Sequence, residues 1–152
     1  MKNLLLIIII PLLIAAKKPE AIRKNGIHFF SGSWEEAIQK AQKENKPIFL
    51  DLYATWCGPC KLLKINTFSN KSVGELYNNS FINVSLNGDE ADGALLAAKF
   101  QIRAYPALLY LDKNGSPVLY AEGYIKPADF IRTGKEAIQK FKKQDQFHHQ
   151  AQ

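Results

Sequence analysis

Apolar and polar positions along this chain switch repeatedly between a helical period and unbroken strand-like runs. Trp34, Ala37, Ile38 and Ala41 recur on one helical face. Ser33-Trp34-Glu35-Glu36 reads as a capping box ahead of them, and Pro47 ends a helix expected to reach about Asn45. Ile48 to Tyr53 is nearly all apolar, as in a strand covered on both faces. Leu62, Leu63 and Ile65 suggest a helix over 58–68, and 72–79 a further short one. Phe81 to Leu86 reads as a strand, and Asp89 to Phe100 as a helix with Leu95, Leu96 and Phe100 inward. Ala107 to Leu111 is a strand, and Lys113-Asn114-Gly115-Ser116 a hairpin turn that returns 117–121 antiparallel. Pro127 suits the first turn of a last helix, ending near Lys143. Gly26 to Phe30 reads as an edge strand.

This order implies an α/β domain over 27–143, with a central mixed sheet and helices on both faces. Crossover connections make the inner strands parallel, and the Asn-Gly hairpin adds an antiparallel edge. Lys17 to about Gly26 is a polar linker, and Gln144 to Gln152 a polar, frayed tail.

The start of the chain has another character. A short basic stretch, Met1-Lys2-Asn3, precedes a run from Leu4 to Ala16 that is apolar throughout apart from Pro11. As a helix that run spans about 20 Å, short of the roughly 30 Å core of a bilayer. It reads as a secretory signal peptide, with Ala15-Ala16 as a small-residue cleavage site. Lys17 and Lys18 follow at once and oppose export, so an uncleaved N-terminal anchor is the alternative. Either places the domain outside the cytoplasm, in the periplasm or an equivalent space.

Charge adds little. The net charge is +6, but the lysines are spread out, with no Arg-rich or aromatic-interleaved patch. Nucleic-acid binding is therefore set aside, leaving a mild preference for acidic partner surfaces.

Cysteine usage changes the picture more. The 152 residues hold only two cysteines, Cys57 and Cys60. Exported domains often carry several disulfides as staples. A bridge across three residues closes too small a loop to stabilise much through chain entropy. Zinc would need about four ligands, and the chain adds only His28, His148 and His149, two of them in the tail. What remains is redox chemistry, which needs no bound cofactor. In Trp56-Cys57-Gly58-Pro59-Cys60-Lys61 the pair follows a strand and opens a helix. Free N–H groups and the helix dipole favour a thiolate at Cys57, the species that attacks a disulfide. Cys60, one turn on, can resolve the mixed disulfide. Gly58 permits close backbone approach and Pro59 stiffens the turn.

These residues resemble thioredoxin closely from Phe49 to Lys61, and again over Ile102-Arg103-Ala104-Tyr105-Pro106-Ala107-Leu108-Leu109 and Lys113-Asn114-Gly115. Gly32-Ser33-Trp34 through Asn45-Lys46-Pro47 looks more like exported thioredoxin-like proteins, such as the C-terminal domain of the membrane thiol–disulfide interchange protein. The resemblance covers roughly 27–143 and implies the thioredoxin fold. It implies Cys57 and Cys60 as the redox disulfide, and Asp51 as a buried acid that helps take the proton of Cys60. A carboxylate inside an apolar strand should have a raised pKa, which suits that role; the bland alternative is a partly exposed acid paired with a lysine. The resemblance makes Pro106 the cis-proline opposite the disulfide. It gives Tyr105 backbone hydrogen bonds to an extended substrate, and makes Gly123 the glycine that lets substrate approach. Trp56 is expected as an exposed apolar landing surface next to Cys57; the bland reading is a half-buried rim aromatic, and the two are compatible.

There are departures. Tyr53 stands where thioredoxin has a second tryptophan. Asn83 falls about where it has a lysine near the acid, and Tyr105 replaces a smaller aliphatic residue. The Gly-Pro dipeptide resembles the reducing members. The implied activity is reduction of disulfides in exported proteins, with electrons from a membrane donor. The alternatives are a disulfide oxidase or isomerase, and a non-catalytic thioredoxin-like interaction module.

Overall fold

A computed structural model describes residues 25–150. The expected signal or anchor segment and most of the linker lie outside them. α1 (Trp34–Glu44) opens with the capping box: the Ser33 hydroxyl accepts from Glu36 N–H, and the Glu36 carboxylate accepts from Ser33 N–H. Asn45 closes it in the left-handed region at φ 48°. Four strands follow: β1 (Ile48–Tyr53), β2 (Ile82–Asn87), β3 (Ala107–Leu111) and β4 (Pro117–Glu122). They form one sheet in the order β2-β1-β3-β4.

The alternation along β1 sorts the core into two layers. Ile48, Leu50 and Leu52 face one way and pack with Val84, Leu109, Leu111 and the Ala37 and Ala41 stripe of α1. Leu96 and Ala97 of α4 (Ala91–Lys99) complete that layer. Phe49 faces the other way and packs with Leu63, Phe68, Tyr77, Tyr110 and Phe130. Apart from Tyr110 of β3, those side chains come from the π-helical stretch Leu63–Phe68 that continues α2 (Gly58–Leu62), from α3 (Lys71–Ser80) and from α5 (Pro127–Gln150). Asp51, two residues after Phe49, belongs to this second face.

Several expectations are corrected. β1 and β2 are parallel, but β3 runs antiparallel to β1. The connection after β2 comes back to the end of the sheet it left, where the Tyr105 ring lies against Gly88, and β3 starts beside the end of β1. Residues 27–30 form no ladder strand. They are held by separate bonds from Ile27 N–H to Phe68 O and from Phe30 N–H to Asn83 O, at 2.7 Å each. Leu95 is 71% exposed, off the Gly93, Leu96, Ala97 stripe that α4 buries. The last helix runs past Lys143 to Gln150. Its Asp145 pairs at 2.8 Å with Lys113, whose ammonium also reaches Asn45 Oδ1 at 2.7 Å, so the 144–150 stretch is tied to the hairpin turn. In that turn Gly115 sits at φ +82°, while the Asp112 carboxylate accepts from the N–H groups of Asn114 and Ser116.

Candidate functional site

Cys57 and Cys60 are joined in a disulfide, with sulfurs 1.99 Å apart. The strand-to-helix corner places them. β1 ends at Tyr53, Cys57 N–H bonds Ala54 O, and Cys57 is the N-cap of α2 with extended φ and ψ. Pro59 lies in the first turn, where a missing N–H costs no helical bond. Cys60 N–H points at the Cys57 sulfur at 3.1 Å. Both cysteines are largely covered, at 3% and 8% exposed, and pack with Ala54, Tyr53 and Tyr105. Apart from its chain neighbours, a Cβ built on Gly58 would meet no atom of the described residues within 4 Å, which leaves room there for another molecule.

The surroundings are a small apolar platform. Trp56 is 70% exposed, an open rather than a half-buried ring. Its indole N–H bonds the Asp89 carboxylate at 3.0 Å, and its ring meets Tyr105 edge-on at 5.9 Å. The peptide before Pro106 is cis. Tyr105 and Pro106 lie just beyond the β1–β3 ladder, which ends at Ala107. Gly123, at φ +77°, bonds Pro106 O through its N–H at 2.9 Å. Trp56, the disulfide, Tyr105 and Pro106 thus gather at one edge of the sheet, with Gly123 beside Pro106.

Asp51 sits below, 5% exposed. It shares a cavity of about 410 Å³ with Cys60, Tyr53, Lys61, Lys64 and Ser85. Ser85 donates its hydroxyl hydrogen to Oδ2 at 2.7 Å. Burial pushes the Asp51 carboxyl up to about 7, against the Ser85 bond and the field of Lys64, which both pull it down. The alternative of a partly exposed acid paired with a lysine is not what the structure holds.

The neighbour of the acid was misplaced in the sequence reading. Asn83 pairs with Phe49 and Ser85 with Asp51. Asn83 instead donates to His28 O and Asn78 Oδ1, away from the cavity. Sequence reasoning also missed Lys64, Gly88 and Asp89. Only Lys64 carried a signal: it lies four residues after Cys60, on the same helical face.

Known proteins resemble this chain in sequence and fold. Residues 34–138 match the family of thioredoxin-like domains. The thiol:disulfide interchange protein DsbD of Yersinia pestis is 34% identical over 95 residues, 60% of this chain and 16% of that protein. That of Campylobacter jejuni is 29% identical over 104 residues, 68% and 18% respectively. The chain therefore spans about a sixth of the length of these curated relatives. Among solved structures, a candidate disulphide-isomerase of Bacteroides thetaiotaomicron superposes with a TM-score of 0.67 at 31% identity, over 76% of this chain and 96% of that one. The C-terminal domain of Neisseria meningitidis DsbD, oxidised, gives 0.60 at 23%, over 72% and 99%. The mixed sheet, its flanking helices and the Cys57–Cys60 pair all agree with these likenesses, and the chain belongs to the thioredoxin-like domain family.

Proposed function

We propose that this thiol–disulfide oxidoreductase reduces disulfides in exported proteins by dithiol–disulfide exchange. The observation that carries the reading is the position of the pair. Cys57 caps α2, and a backbone N–H points at its sulfur at 3.1 Å. In the reduced protein the same N–H and the helix dipole favour a Cys57 thiolate. That thiolate attacks a substrate sulfur, and one substrate sulfur leaves as a thiol. Cys60 then loses its proton to Asp51 and attacks Cys57, releasing the second substrate sulfur. Two electrons pass from the dithiol to the substrate, leaving Cys57 and Cys60 joined as a disulfide.

Substrate docks across the exposed edge. Trp56 supplies apolar contact area. Gly58 and Gly123 have open space where other residues carry a Cβ. Tyr105, outside the ladder, offers its backbone to an extended chain. The Leu4–Ala16 run supports a periplasmic or membrane-anchored setting, where a membrane protein must return the electrons. A second reading, a disulfide isomerase on the same residues, is favoured by the likeness to the Bacteroides protein.

Trapping tests the exchange. Reduced Cys60→Ser protein should accumulate a mixed disulfide through Cys57 when mixed with a disulfide-bearing protein, and Cys57→Ser should form none. Absence of adduct with Cys60→Ser would leave only the non-catalytic module.

A further inference from the structure

The cavity under the disulfide is built from several elements. β1 supplies Asp51 and Tyr53, β2 supplies Ser85, and the helical stretch after the pair supplies Cys60, Lys61 and Lys64. Phe29 and Phe68 add apolar walls, and β3 sets the uncharged Leu108 opposite Asp51. The titratable and charged groups facing the acid are therefore Tyr53, Cys60, Lys61 and Lys64. Cys60, in α2, and Lys64, in its π-helical continuation, both line this cavity with the acid. Of the two lysines, Lys64 is the one whose charge bears on Asp51. Lys64 is exposed, so its ammonium remains hydrated and acts through its field. Asp51 needs such help: Oδ2 has the Ser85 hydroxyl, whereas Oδ1 is buried without a hydrogen-bond partner among the described residues.

We propose that Lys64 is a positioning residue for the resolving step, its ammonium stabilising the Asp51 carboxylate that takes the Cys60 proton. The proposal rests on Asp51 acting as the base. In the mixed disulfide, the Cys60 thiol gives its proton to Asp51. A Cys60–Cys57 sulfur bond forms and the Cys57–substrate sulfur bond breaks. The substrate sulfur leaves with the electron pair and takes a proton from water, and Asp51 later returns its own proton to solvent. Without the ammonium, more of Asp51 is protonated near neutral pH, and resolution slows there.

The test is the pH profile of resolution in single turnover, followed by tryptophan fluorescence after mixing reduced protein with a disulfide peptide. The Asp51 carboxyl is titrated by carbon NMR in parallel. Lys64→Gln should move the rising limb and the titration about 0.5 pH unit or more to higher pH. Lys64→Arg should restore both, and high salt should narrow the gap. If folded Lys64→Gln leaves both unmoved while Asp51→Asn still slows resolution, the Lys64 proposal is overturned alone. If Asp51→Asn has the wild-type profile, the assignment of Asp51 as base falls, and the Lys64 proposal with it.

Discussion

Ser85 donates to Oδ2 of Asp51 at 2.7 Å, and Oδ1 of the same carboxyl group is buried without a partner among the described residues. One hydrogen bond does not replace the water lost on burial, so the protonated acid is favoured, with a pKa of about 7. The unfolded chain has an ordinary carboxylate. The folded protein therefore holds this proton more tightly, and the group costs stability as pH rises from about 4 to about 7. Asp51→Asn can keep the Ser85 contact and cannot ionise. It should be more stable than wild type by about 2–4 kcal/mol near pH 8, with the advantage fading toward pH 4. Urea unfolding at the two pH values measures this; equal stability near pH 8 would contradict the raised pKa.

Tyr105 owes its place to a missing side chain. A Cβ on Gly88 would stand 2.6 Å from the Tyr105 ring and 2.3 Å from its hydroxyl oxygen. Gly88→Ala should drive the ring from the disulfide, costing about 1–3 kcal/mol and slowing exchange. Tyr105→Ala made in the same chain should relieve much of the stability cost. Fully additive losses in the double-mutant cycle would sink this account of Gly88.

The second core layer holds a polar pair whose members are unequal. The Tyr77 hydroxyl is 2.6 Å from that of Tyr110 and donates to Phe130 O at 2.9 Å. Tyr77→Phe strands the buried Tyr110 hydroxyl, whereas Tyr110→Phe leaves Tyr77 its bond to Phe130. Tyr77→Phe should cost about 1–3 kcal/mol and Tyr110→Phe less. Chemical denaturation ranks the two, and the reverse order would contradict the assignment of the donor.

The local signals were the legible ones. The capping box at Ser33, the turn at Gly115 and the redox pair at a strand-to-helix corner all depend on residues a few positions apart, and each stands where it was expected. Relations set by register and connection direction were not legible. Nothing local tells which β2 residue opposes Asp51, because no tight turn fixes the offset of a parallel pair; a shift of two residues exchanges Asn83 for Ser85. Nor does the apolar run of β3 say which way it points. Leu95 was misread for another reason: an apolar residue beside a helical stripe looks, in sequence, like a member of it.

The proposed reductase function has electrons leaving Cys57 and Cys60 for the substrate disulfide. Equilibrating the pair with reduced and oxidised glutathione gives its potential directly. A reductant should lie near the thioredoxin level, about −270 mV, and Cys57→Ser should abolish the transition. A value near −120 mV, the level of a strong oxidant, would contradict the claim and reverse the direction of electron flow.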